Sequence, residues 1–202
     1  MSELVFYTNP QSRGRIARWM LEEVGAPYST EILEYGTTMK SPEYLAINPM
    51  GKVPAIRHGD TVVTECAAIC AYLADAFPEA GLAPPPAERG AYYRWLFFAA
   101  GPLESAIVNA ALGFEVPDDK RMTVGYGTKD LALDTIETAI ADSPYVAGDA
   151  FSAADVYVGS QIAFGLQFGT VPKRDSFAAY VARVTDRDAC RRAAAIDDGG
   201  GG

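Results

Sequence analysis

The sequence predicts a small mixed α/β domain followed by an all-α helical domain. Three observations point that way. Residues 1–77 alternate between short β-type runs and amphipathic helical stretches. Three consecutive prolines at Pro84, Pro85 and Pro86 then interrupt the chain. The residues beyond them are rich in Ala, Leu and aromatics, with few strand signals.

The elements follow in order. "ELVFY" reads as a buried strand. Ile16, Ala17, Met20, Leu21 and Val24 recur at helical spacing and give a helix over about residues 13–24 with one apolar face. Gly25 stops it and Pro27 prevents its resumption. "YSTEIL" forms the next strand, and a short helix is expected near 42–47. "PAIRHGDTVVTE" is a pair of short strands around a tight turn that includes His58. Cys66, Ile69, Cys70, Leu73 and Phe77 make a helical stripe that ends before Pro78. A parallel first pair of strands plus an antiparallel hairpin gives a small mixed sheet carrying helices. The prolines form a stiff connector. Helical segments follow near 87–113, 122–142, 153–168, 176–185 and 187–195, the first kinked or broken at Pro102. The expected boundaries are 1–77 for the first domain, 78–87 for the linker, 88–196 for the helical domain and 197–202 for a flexible tail.

Composition narrows the function. The chain has 202 residues, 49% apolar and 21% charged, with a net charge of -9. That charge disfavours nucleic acid and anionic membrane as partners. No run of about 18 apolar residues suggests a membrane span, and no basic segment followed by an apolar core opens the sequence as an export signal would. A cytoplasmic location is the expectation. The three cysteines, Cys66, Cys70 and Cys190, are too few for a disulfide framework. With His58 the single histidine, neither a zinc site nor a Ser-His-Asp triad is expected.

Four stretches carry possible chemistry. In "NPMGKVPAI", Pro54 opens a strand. A cis Val53–Pro54 bond would turn the Val53 N–H and C=O outward to pair with an extended peptide ligand; a trans edge-strand proline is the other reading. In "VVTECAAICAYL", Glu65 and Cys66 open a helix behind Thr64 as a possible N-cap. The helix N-terminus favours a carboxylate, and Glu65 either holds an ammonium group or simply complements the helix dipole. Ser12 lies just before the first helix. It is either an N-cap or a hydroxyl aimed at an anion, and a helix N-terminus lowers the pKa of a thiol from about 8.5. A shift of about two units favours the thiolate by about 2.7 kcal/mol. Tyr7, near the end of the first strand, competes for the donor role or is a packed aromatic. "SAAD" at Ser152–Asp155 is a capping box with Asp in place of Glu or Gln, a folding element.

Together these pieces resemble a cytosolic glutathione transferase across nearly the whole chain. "NPMGKVPAI", the "TE" before the next helix, and "SAAD" about ninety residues later carry the resemblance. It implies a thioredoxin-like first domain, a cis Pro54, and pairing of Val53 with the cysteinyl part of glutathione. It implies that Glu65 and Cys66 bind the γ-glutamyl end and that Lys40 or Lys52 meets the glycyl carboxylate. It also implies a homodimer, and glutathione as a substrate with no metal. "FY" followed by four residues and Ser12 is similar to the bacterial beta-like class with Ser replacing Cys, while "RGR" and Tyr7 resemble the tyrosine classes. Ser12 is the favoured thiolate donor and Tyr7 the alternative. Cys66 departs from the family, which usually has Ser after the acidic residue. Tyr92, Trp95, Phe98, Phe114, Phe164 and Phe168 are candidates to meet a hydrophobic electrophile in a cleft between domains. The implied activity is attack of the glutathione thiolate on that electrophile. Glutathione-dependent peroxide or disulfide reduction, or a non-catalytic ligand- or protein-binding module, are the rival readings.

Overall fold

The computed structural model describes residues 2–199. They form two units. One comprises residues 2–82 together with 187–199; the other is Ala83–Asp186.

The first unit is built on a four-stranded sheet. Strand β1 (Leu4–Thr8) lies parallel to β2 (Ser29–Ile32) and antiparallel to β3 (Ala55–His58), which pairs antiparallel with β4 (Thr61–Thr64), in the order β2-β1-β3-β4. Helix α1 (Gly14–Val24) makes the crossover from β1 to β2 and ends at Gly25, whose N–H donates to the Leu21 carbonyl. Successive side chains of a strand point to opposite faces. Phe6 and Thr8 therefore face α1, and the Arg18 guanidinium lies over the Phe6 ring, 5.1 Å from its centroid. Val5 and Tyr7 face the other way, packed with Leu33, Met39, Tyr44 and Ala55. Tyr44 belongs to the short helix α2 (Pro42–Ile47), which Ser41 caps by accepting a hydrogen bond from the Tyr44 N–H. Helix α3 (Cys66–Ala76) follows β4. His58 ends β3 instead of lying in the turn. Its ring stacks on Phe77 and its Nδ1 pairs with the Tyr72 hydroxyl at 3.0 Å, so it is a packing residue.

The second unit is helical, so the thioredoxin-like first part and all-α second part expected from the sequence are both present. Helix α4 (Gly90–Phe98) runs through a wider π turn at Ala99–Leu103 into α5 (Glu104–Ala111). Pro102 sits in that turn, where its missing N–H and its ring are accommodated by a local widening of the helix. Helix α6 (Lys129–Ala141) precedes the central, almost wholly buried α7 (Ala153–Gln167). The Asp155 carboxylate accepts from the Ser152 N–H and hydroxyl, the Val146 N–H and, at 2.8 Å, the hydroxyl of Tyr180 on α8 (Asp175–Thr185). Burial pushes the Asp155 carboxyl up, against these hydrogen bonds.

The C-terminal segment departs from the expected boundaries. Helix α9 (Asp188–Gly199) belongs with the first unit, and it includes Asp197 and Asp198, which the sequence reading put in a flexible tail. Residues 200–202 of that tail lie outside the described residues. The cause is charge pairing with α1. Asp197 meets Arg18 at 2.7 Å with both side chains buried, Asp198 meets Arg15 at 2.8 Å, Arg187 grips Glu23 with two bonds of 2.7 Å, and Arg192 meets Glu22 at 3.0 Å. Arg18 also donates to the Tyr28 hydroxyl and Thr30 Oγ1. Removing one partner of a buried ion pair leaves the other charge desolvated and unpaired. Asp197→Ala should therefore lower stability by about 3–5 kcal/mol in urea unfolding, and the apolar double replacement Arg18→Met with Asp197→Leu should cost clearly less.

Candidate functional site

The register of the sheet assembles the site. Tyr7 pairs with Ala55, and Ala55 pairs with Thr64. The end of β1, the start of β3 and the end of β4 therefore lie side by side. The segments that continue them, residues 9–13, 52–54 and 65–66, share one edge of the first unit. A further bond draws them together: the Cys66 thiol donates to the Arg13 carbonyl at 3.2 Å, joining the start of α3 to the start of α1.

The turn before α1 is closely pinned. Asn9 donates through Nδ2 to the Leu33 carbonyl at 2.9 Å and accepts the Gln11 N–H at Oδ1. The Ser12 hydroxyl donates to the Asn9 carbonyl at 2.6 Å and accepts the Gly14 N–H at 2.9 Å. Ser12 is half-buried at the opening of α1, where it holds the first N–H of the helix and the N-cap residue Arg13 gives no side-chain cap. Asn9 went unremarked in the sequence, although Asn-Pro is a turn signal and an Asn side chain that closes on the backbone two residues ahead is its usual mechanism. Gly14 sets the spacing of the turn. A β-carbon there would come within 1.9 Å of Thr8 Oγ1 and 2.9 Å of Ser12 Oγ, so the helix approaches the strand as closely as a backbone allows.

Tyr7 is not part of this turn. The strand alternation that sends Thr8 toward α1 sends Tyr7 to the opposite face. There it is buried, with its ring 5.7 Å from that of Tyr44 and its hydroxyl against the Arg57 guanidinium. The structure thus separates the two hydroxyls that sequence reasoning placed beside one another.

At the start of β3 the Val53–Pro54 bond is cis. Among the described residues, no hydrogen bond uses the Val53 N–H or C=O. The preceding Lys52 carbonyl is held by the Tyr44 hydroxyl at 2.6 Å and Asn48 Nδ2 at 2.8 Å. Burial pushes the Tyr44 phenol up to about 12, which keeps it protonated as that donor. The two basic candidates differ. Lys40 Nζ already donates to the carbonyls of Met50 and Gly51 at 3.0 and 2.8 Å. Lys52 is exposed, and its ammonium has no partner among the described residues.

At the start of α3, Glu65 is exposed and has a φ of +67°, a left-handed conformation unusual for a residue with a side chain. Its carboxylate has no partner among the described residues. No side chain caps α3, so its first turn keeps the donor groups and positive potential of a helix N-terminus. Cys66 and Cys70 are buried, and burial pushes the Cys70 thiol well up. Among the described residues no three His, Cys, Asp or Glu side chains stand close enough to hold a metal ion, and no helix is long and apolar enough to cross a membrane.

The aromatic candidates of the helical unit divide. Tyr92 and Trp95 are buried, with the Arg94 guanidinium 4.4 Å from the Trp95 ring centroid. Phe114 and Phe168 are exposed, while Phe98 and Phe164 are half-buried, Phe98 edge-on to Trp95 and Phe164 against Phe168.

Comparison with known proteins agrees with this architecture. Residues 13–76 match the model of the glutathione S-transferase N-terminal domain. Glutathione S-transferase 3 of Zea mays is 32% identical over 169 residues, covering 77% of this chain and 75% of the maize protein. With glutathione S-transferase F9 of Arabidopsis thaliana the match, 32% identical, spans 58% of this chain and only 59% of that relative's length. Among solved structures, a glutathione transferase from Methylococcus capsulatus superposes with a TM-score of 0.80 at 28% identity, over 96% of this chain and 98% of that one. A glutathione transferase homologue from Sulfitobacter with bound glutathione gives 0.75 at 26% identity, over 99% of both chains.

The contact at Gly14 is directly testable. In an ordinary helix Gly→Ala is stabilising; here the added methyl overlaps Thr8 Oγ1. Gly14→Ala should lower stability by about 1–3 kcal/mol in thermal unfolding, and Thr8→Ala in the same chain should recover part of the loss.

Proposed function

Because the chain belongs to the glutathione S-transferase family, we propose that it binds glutathione along this edge of the first unit and activates its thiolate for attack on a hydrophobic electrophile. The observation that carries the proposal is the gathering, at one edge, of groups complementary to each part of the tripeptide, with the Val53 main chain and the Glu65 and Lys52 side chains without partners among the described residues. The Val53 N–H and C=O pair with the cysteinyl residue as an added strand. The first turn of α3, from Cys66, receives the γ-glutamyl carboxylate, and the free Glu65 carboxylate meets the ammonium group. The free Lys52 meets the glycyl carboxylate, since the Lys40 ammonium is already engaged by two carbonyls.

The sulfur lies at the turn before α1. Ser12 is the proposed donor, because Tyr7 is buried on the opposite sheet face. The Ser12 hydroxyl carries one proton, which this structure shows on the Asn9 carbonyl. On binding, that proton turns to the thiolate while the opening of α1 adds its dipole. The chain is thus read as a serine-type member, similar to the beta-like bacterial class. Phe98 and Phe164 are the half-buried rings proposed to meet the electrophile. A homodimer and a cytoplasmic location are part of the same reading.

The test is the ultraviolet thiolate absorbance of protein-bound glutathione against pH. In the wild type the bound thiol should titrate about one to two units below its free value of about 8.5. Ser12→Ala should return it toward that value, while Tyr7→Phe should leave it low. Lys52→Met should weaken glutathione binding about tenfold, about 1.4 kcal/mol, with a smaller effect from Lys40→Met. Activity with an organic hydroperoxide but not an aromatic halide would select the peroxidase reading. Tight binding with an unshifted thiol would select the binding module.

A further inference from the structure

Thr8 presents an unexplained group beside the proposed thiol site. Its side chain is fully buried, 0% exposed, and its hydroxyl oxygen has no hydrogen-bond partner among the described residues. Its carbonyl is engaged, accepting the Leu33 N–H at 2.8 Å. A buried hydroxyl without a partner opposes folding, and valine would fill the same space without that penalty. Such an atom calls for an explanation in terms of a state other than the one observed.

Its surroundings supply one. Thr8 Oγ1 and Ser12 Oγ flank the same point, the place where a Gly14 side chain would begin. In this structure Ser12 Oγ donates to the Asn9 carbonyl and accepts the Gly14 N–H. To donate to a thiolate, the Ser12 hydroxyl must leave Asn9. Its oxygen accepts only the Gly14 N–H and keeps a second lone pair open; as the side chain turns, that lone pair comes within reach of the Thr8 hydroxyl.

We infer that Thr8 is a positioning residue for Ser12: in the glutathione complex the Thr8 hydroxyl donates to Ser12 Oγ, fixing that oxygen while its own proton is given to the glutathione sulfur. Two hydroxyls in series then polarise one another, so the hydrogen bond to the thiolate is stronger than Ser12 alone would make. The thiol proton itself leaves to solvent, and no bond to either side chain is formed. The inference rests on the proposed role of Ser12.

The experiment is the thiolate titration applied to wild type, Thr8→Val, Thr8→Ser, Ser12→Ala and the Thr8→Val/Ser12→Ala pair, with thermal unfolding of each. Thr8→Val should raise the pKa of bound glutathione by about one unit, a tenfold loss of thiolate below that range, with thermal stability unchanged or higher. Thr8→Ser, which keeps the hydroxyl, should titrate like wild type. In the Ser12→Ala background Thr8→Val should add nothing. A wild-type titration in Thr8→Val, a Thr8→Ser that behaves as Thr8→Val, or an equal shift without Ser12 would each overturn the role of Thr8 while leaving glutathione activation standing. An unshifted thiol in the wild type, or no binding, would overturn the functional reading and this inference with it.

Discussion

The approach of α1 to the end of β1 is the constraint on which the candidate site depends. Gly14 sits against Thr8 with no room for a side chain. That contact fixes where the helix dipole points, where Ser12 stands, and which carbonyls the turn can reach. The Asn9 hydrogen bonds hold the turn from the other side. The Cys66 thiol then ties the second helix opening to the first. Two helix N-termini thereby meet at one edge of a sheet, an arrangement that gives positive potential to a chain whose net charge is -9. Under the proposed function, attraction of the anionic tripeptide is local, set by backbone dipoles and Lys52, and opposed by the overall charge.

Much of the fold was legible from short-range signals. The helix from Gly14 to Val24, the Gly25 stop, the hairpin around Gly59–Asp60 and the capping box at Ser152 each depend on residues a few positions apart. The wide turn at Pro102 followed from what a proline removes. The site was legible only as a set of segments. Strand periodicity places Tyr7 and Thr8 on opposite faces, but which face carries α1 depends on the crossover and packing of the whole unit. The commitment of the Ser12 proton to Asn9, and of Lys40 to two carbonyls, depends on side-chain placement that spacing does not encode. Thr8 gave no signal, because an unpartnered hydroxyl is defined by what surrounds it.

The placement of α9 was the largest departure, for the same reason on a longer scale. Its sequence reads as an amphipathic helix, and nothing local says which helix it joins. The Arg18–Asp197 pair spans 179 positions. The acids that looked like the beginning of a polar tail are helical because arginines of α1 wait for them. Glu22 with Arg192 of α9, and Glu23 with Arg187 just before it, repeat the pairing with the signs reversed. The exchange of charge in both directions specifies a single register between the two helices.

The discontinuity of the first unit has a consequence for how the chain can be divided. Its polypeptide leaves at residue 82, passes through the whole helical unit, and returns at residue 187. The helical unit is topologically an insertion. A protease cut at the proline linker would therefore release no free-standing sheet unit, since α9 would still be tethered to the other fragment. Closing so long a loop is slow and entropically costly. The α1–α9 contact is accordingly expected to form late in folding, after each segment has gained its local structure. The helix that would hold glutathione sulfur is clamped only when the chain returns from the helical unit, so the site and the α1–α9 contact mature together.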